Sequence, residues 1–239
     1  MGENTDISLK RIGIEGTAIV VSILIAFAID AAWETSQESK RLTSSLGSLA
    51  EELEGNRRNL EDELDRLRAH IRQIEEYVVL VSSPPASVSP EQVIAMLGNL
   101  VPLRQFPVQQ AAFRDLTSGG LSLINDGHTR RLILEYGQAL EFHESRQRIA
   151  EEWFDRRANP YDELHGDLVG MRSDAYGESW AGRNDLRFDF EPSAFVGNRR
   201  YANLLAARFF RASSILHARE DLLEVMTDLE HVLSMPNSL

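Results

Sequence analysis

The stretch that most constrains this chain runs from Ile12 to Trp33, IGIEGTAIVVSILIAFAIDAAW. Its uncharged core, Gly16 to Ile29, holds 14 residues. As a helix that core reaches only about 21 Å, short of the ~30 Å hydrocarbon layer of a bilayer. The full stretch of 22 residues reaches about 33 Å and spans it. Glu15 and Asp30 then fall near the two interfaces, where a carboxylate keeps contact with water. Trp33 takes the place of an interfacial aromatic. The expected organisation is a short segment 1–11, a transmembrane helix 12–33, and a large domain 34–239.

At 100° per residue, Glu15, Ala18, Ser22, Ala26, Asp30 and Trp33 fall within about a third of the helix circumference. Val20, Val21, Ile23, Leu24 and Phe27 cover most of the rest. Small residues four apart let a second helix approach closely, so this face is the expected docking surface for an integral membrane partner. The span contains no His, which argues against an imidazole-ligated haem or pigment within it. A cleavable signal peptide is the competing reading, because Lys10 and Arg11 precede the apolar run and Ala26-Phe27-Ala28 resembles a cleavage site. Helical patterning that continues past Trp33 favours an anchor instead. No basic residue lies between Arg11 and Lys40. Positive-inside counting therefore places the N-terminus in the cytoplasm and the large domain outside, which in a bacterium means an inner-membrane protein with a periplasmic domain.

Composition narrows the partners. A net charge of −12 over 239 residues argues against nucleic acid and against an anionic lipid surface. Lys10 and Lys40 are the two lysines, so nearly all of the 25 basic residues are Arg, a bias that codon usage in a GC-rich genome explains. The absence of Cys excludes disulfides, thiol catalysis and thiolate metal sites. A periplasmic domain of this kind must be held by its packed core.

From Thr35 the pattern turns amphipathic. Leu42, Leu46, Leu49 and Leu53 form a heptad seam, and Leu60, Leu64, Leu67, Ile71, Ile74, Val78 and Val81 continue it after a break at Asn56. One long helix is expected to about Val81, stopped by Pro84-Pro85. Short helices are expected from Ser89 to Leu100 and from Val108 to Leu116, the second closed by Ser118-Gly119-Gly120. Asn125-Asp126 offers a cap for a helix that stops before Asn159-Pro160. Residues 160–195 read as an irregular, aromatic-rich loop, and a last helix runs from about Gly197 to Leu233. The expected fold is all-α: a transmembrane helix continuing into a long stalk helix, packed with two further long helices as an elongated antiparallel bundle with short capping helices.

GIEGTAIVVSILIAFAIDAAWE, followed by a leucine-spaced acidic helix, resembles the N-terminus of an uncharacterised family of bacterial single-pass membrane proteins with an extracytoplasmic helical domain. That family's pattern is approximately E-I-x-L-V-x-x-G-I-L-I-A-L-x-I-N-x-W-N-E. FRDLTSGGLSLINDGHTRRLILEYGQAL is similar to the family's sequence of Gly turn, apolar step, capped helix and aromatic, and the two segments cover about a fifth of the chain. The chain departs in having Asp30 where the family tends to Asn, Trp33 one residue later, and a longer 160–195 loop. The resemblance implies topology and fold. The family has no established activity, so it implies no chemistry.

Little else points to chemistry. Asp162-x-x-His165 and Asp228-x-x-His231 have a spacing that puts both groups on one helical face, as in di-metal bundles, but Pro160 and Gly166 flank the first. Pairs of such common residues also arise by chance, so no metal and no cofactor is assigned. Glu141, His143 and Glu144 read as the wet face of an amphipathic helix. The paired arginines Arg57–Arg58, Arg130–Arg131, Arg156–Arg157 and Arg199–Arg200 are dispersed among acids and read as salt-bridging partners across a bundle rather than as an anion site. No Gly-x-Ser-x-Gly, phosphate loop, dinucleotide fingerprint or His-Glu-x-x-His occurs, and no catalytic residue is assigned. In the aromatic loop, Tyr161, Tyr176, Trp180, Phe188 and Phe190 read either as a lid tucked onto the bundle or as a second partner-docking surface.

The expectation is a non-catalytic single-pass membrane protein that docks as an accessory or stabilising subunit on a larger membrane complex, with energy-transducing respiratory or photosynthetic complexes as candidate hosts. The alternative is a periplasmic ligand-binding or sensory module, which a pocket between the helices of 126–158 and 197–233 would favour. The leucine seam could also pair with a second copy, as a homo-oligomer.

Overall fold

A computed structural model describes residues 9–83, 88–89, 92–93, 96–97, 100, 105–158, 160–161 and 192–235, with the side chains of 9–16, 18 and 192 outside that description. Among the described residues every regular element is helical. Helix α1, Leu9–Ser82, is unbroken over 74 residues, about 110 Å at the ordinary helical rise. It stops at Ser83, just before the two prolines, as their missing N–H and ring sterics require. Short α2, Ala111–Asp115, runs into a π turn over Leu116–Gly120 and a 3-10 turn over Leu121–Leu123. Helix α3 covers Gly127–Trp153 and ends in a π turn, Phe154–Ala158. A 3-10 turn, Pro192–Ala194, precedes α4, Arg199–Leu233.

Local chemistry accounts for the helix starts. Asp126 caps α3 by accepting from the backbone N–H of His128 and Thr129, which satisfies donors that the first turn leaves orphaned. These bonds hold the Asp126 carboxyl below its ordinary value, with the Thr129 hydroxyl making the largest contribution. Asn198 does the same for α4 through Arg200 and Tyr201. Gly197 precedes it at φ 72°, a left-handed conformation that glycine adopts without a Cβ clash. Its N–H donates to the Val81 carbonyl at 3.0 Å, tying the start of α4 to the end of α1.

The three long helices form the bundle. Arg57 pairs with Glu230 at 2.9 Å and Arg68 with Glu220 at 2.8 Å, so α4 descends as α1 rises. Gln147 meets Arg219 and Trp153 meets Arg211, so α3 is also antiparallel to α4 and therefore parallel to α1. The chain must return from the far end of α1 to the near end before α3 can begin, and the described residues between α1 and α3 lie along that return. Val93, Met96, Leu97 and Leu100 pack in the far core. Residues 105–123 lie lower, and Ala112 and Phe113 reach the level of Glu52.

The leucine seam of α1 is the spine of the core. Leu46, Leu49, Leu53, Leu60, Leu64, Leu67, Ile74 and Val81 are all buried, each contributing about 1.5–3 kcal/mol of burial free energy. The seam is covered within the chain from Leu46 onward. Asn56 does not break the helix. Its side chain turns inward and clamps the returning strand, donating to the Gln109 carbonyl at 2.7 Å and accepting from the Gln109 N–H at 2.9 Å. Glu52, also buried, accepts from the N–H groups of Ala112 and Phe113 at 2.8 and 3.2 Å. Polar residues interrupt the seam where backbone donors and acceptors of the return segment must be satisfied.

The core has two apolar parts with a polar layer between them. The near part runs from Leu46 to Leu64 on α1, Leu132 to Leu140 on α3 and Leu222 to Leu229 on α4. The far part takes Leu67 to Val81, Ala150, and Tyr201 to Ile215. At the junction lie Glu63, His143, Gln147 and Arg219, with Phe106 from the return segment. Arg219 is 1% exposed and its Nη1 stands 3.6 Å from Glu63. It also donates to Gln147 at 3.4 Å and sits over the Phe106 ring at 5.5 Å.

Candidate functional site

The first described side chain of α1 to be buried is Leu46, so the part of α1 before about Leu42 projects from the bundle. From Leu9 to Arg41 this projection is about 50 Å long at the ordinary rise. Its described apolar side chains are bare: exposures run from 47% at Val21 to 68% at Trp33. One window of α1 near the N-terminus is long and apolar enough to cross a membrane, and none of it is buried inside the protein. The core helix of a soluble domain, which can be equally apolar, would be covered. Of the expected docking face, Ser22, Ala26, Asp30 and Trp33 are exposed on the projecting segment. The side chains of Glu15 and Ala18 lie outside the described residues.

The second expected surface fares differently. Tyr161 is 4% exposed and packs among Phe195, Tyr201 and Arg200. Its hydroxyl donates to the Ala194 carbonyl at 2.5 Å. This residue belongs to the far core, packed with Phe195 and Tyr201. Tyr176, Trp180, Phe188 and Phe190 lie outside the described residues, as do Asp162 and His165.

His143 departs from the reading as wet face. It is 1% exposed, while Glu141 and Glu144 on either side face solvent. The spacing Tyr136, Leu140, His143, Gln147 follows the inward stripe of α3, a signal already present in the sequence. His143 Nε2 lies 3.4 Å from the Phe106 carbonyl, and burial, with Arg219 nearby, holds the imidazole below its ordinary pKa. His70 is pushed down to about 4 by burial and by the Arg208 charge. Both rings are therefore neutral at ordinary pH. Asp228 and His231 are exposed on α4. Among the described residues no group of three or more His, Asp or Glu is set to hold a metal.

The arginine pairs divide. Arg57 bridges to Glu61 and across to Glu230, Arg58 pairs with Glu54, Arg131 with Glu135 and Arg156 with Glu152. Arg130 instead donates to the Ile124 carbonyl. Arg157, Arg199 and Arg200 pair with no carboxylate of the described residues. They converge on an open cleft of about 510 Å³ at the far end, completed by Trp153, Asn203, Leu204 and Ala207. This cleft lies between the end of α3 and the start of α4.

No protein-family model, no curated protein and no solved structure matches this chain.

Proposed function

We propose that the projecting part of α1 is a transmembrane anchor and that the protein is a non-catalytic, single-pass accessory subunit of a larger membrane complex. On this reading the short N-terminus is cytoplasmic and the bundle stands in the periplasm of a bacterium. The observation that carries it is the bare apolar segment from Ile19 to Trp33, continuous with a helix whose other half is the spine of a packed core. Apolar surface on that scale is stable only against lipid or another protein.

Small residues on one side of the span support a partner helix there. The rigid stalk would hold the bundle at a set height above the bilayer. The test is co-purification from membranes in a mild detergent, comparing the natural chain with an Ala18→Leu/Ser22→Leu/Ala26→Leu variant. A stoichiometric membrane complex that is lost in the variant, with the variant still membrane-bound, is the expected result. Retention of the same complex by the variant would refute docking through this face, and recovery of the natural chain in the soluble fraction would refute the anchor.

A further inference from the structure

We propose that the cleft between the end of α3 and the start of α4 binds a small soluble organic anion that carries an apolar body. Three observations converge there. First, three arginines line it: Arg157 from the π turn after α3, and Arg199 and Arg200 from the first turn of α4, the Arg200 guanidinium also lying over the Tyr161 ring at 5.3 Å. The protein as a whole is acidic, at −12, and most of its other arginine pairs are neutralised by neighbouring carboxylates, whereas these three guanidiniums have none among the described residues. The first twenty residues of α4, 199–218, contain four arginines and no acid, while the acids of that helix gather from Glu220 to Glu230. A planar, permanently charged fork is suited to a carboxylate or phosphate.

Second, the floor is apolar. Trp153, Leu204 and Ala207 line it. The Trp153 ring is held by Arg211, whose guanidinium carbon sits 4.4 Å from the ring centroid, so the indole is positioned as a stacking surface. Asn203 adds an amide that can donate or accept. A bare inorganic anion would leave this floor wet. Third, the volume of about 510 Å³ falls in the ordinary range for small-molecule sites.

The position of the cleft selects the source of the ligand. From Trp33 to Val81, α1 rises about 72 Å, so on the anchored reading above the headgroups of the protein's own bilayer lie far below the cleft. The ligand comes from solution.

The experiment uses the full-length protein in a neutral detergent, titrated calorimetrically with 2-naphthoate and, separately, with the uncharged 2-naphthylmethanol and with inorganic phosphate. The expected result is saturable one-to-one binding of the naphthoate that weakens as salt is raised. Loss of the anion contacts in Arg157→Gln/Arg199→Gln should weaken it by about tenfold or more. Both side chains are exposed and form no ion pair or hydrogen bond with another side chain of the described residues, so the variant should melt with the natural protein. Arg58→Gln, at the near end, should bind as the natural chain does, and Trp153→Leu should weaken the naphthoate while leaving the salt dependence in place. Absence of saturable binding, equal affinity for naphthylmethanol or phosphate, or undiminished binding by Arg157→Gln/Arg199→Gln would each overturn the assignment.

Discussion

Replacing Glu63 by Leu removes the carboxylate that faces Arg219 at the junction of the two core parts. Glu63 and Arg219 side chains are 10% and 2% exposed, with 3.6 Å between Oε1 and Nη1. At an effective dielectric of about 20 their gross attraction is about 4.6 kcal/mol. Desolvating the two ions costs several kcal/mol each and cancels most of that gain. The pair as a whole is therefore close to neutral for stability, but either half alone is not. Glu63→Leu leaves a buried guanidinium whose remaining support includes Gln147 and the Phe106 face. The expected loss is about 3 kcal/mol, the lower part of the range for an uncompensated buried charge. Glu63→Leu/Arg219→Met removes both charges, closes the gap between the apolar parts, and should stand within about 1 kcal/mol of the natural protein. Urea unfolding followed by far-ultraviolet circular dichroism, in one neutral detergent at one pH, measures all four members of the cycle. A Glu63→Leu loss below about 1 kcal/mol, or a double variant as unstable as the sum of its parts, would refute the reasoning.

Acid should weaken the bundle through its buried imidazoles: His70 is pushed down to about 4, and His143 is also lowered, so the folded state prefers them neutral. Their contribution is complete above the unfolded value of about 6.5 and is lost as pH falls through that value toward the folded one. For His70, partly in contact with solvent, the loss at pH 5 should be about 1 kcal/mol after discounting for screening, and His70→Gln/His143→Gln should flatten the melting temperature between pH 7 and 5 relative to the natural chain. A variant whose acid sensitivity is unchanged would show that carboxylates alone govern that range. In the same assay the helix glycines should separate. Gly47→Ala, with open space around its new Cβ, should stabilise by about 0.5–1 kcal/mol through backbone entropy. Gly137→Ala meets the Phe113 ring at 2.9 Å and should lose that gain, because the ring, edge-on to Tyr136 at 5.2 Å, has to move. Equal stabilisation by both would refute the close approach.

The division of the arginines bears on the two functional readings. Pairing across the bundle explains Arg57, and local pairing explains Arg58, Arg131 and Arg156. It does not explain the three at the far-end cleft. The anchor and the cleft are compatible in one molecule. An accessory subunit can hold a ligand-responsive head at a fixed distance from the membrane, and the two tests above read different ends of the chain.

Period and punctuation alone were enough to specify much of this protein. An apolar run followed by a 3–4 leucine spacing with no proline until Pro84 reads as one long helix, and its first part is long and apolar enough to cross a membrane. The cap at Asp126 and the all-α class follow from the same local rules, since each depends on residues within a turn of one another. What sequence periodicity leaves open is which stripe each helix buries, and against what. Asn56 looked like a break because its bond partner, Gln109, is 53 residues away. His143 looked like surface because two acids flank it, although its spacing from Tyr136 and Leu140 already placed it on the inward stripe. Tyr161 reads from the sequence as either a tucked lid or a docking anchor, because an aromatic beside a Pro carries no local sign of burial; its packing in the far core matches the tucked reading. A pocket between these two helices is conceivable from the sequence, but its lining is not: Arg157 and Arg199 come from different elements, and only the antiparallel packing of α3 on α4 sets them around one space. Local structure is decided by neighbours in the chain, whereas burial, ion-pair partners and clefts are decided by neighbours in space, which folding alone supplies.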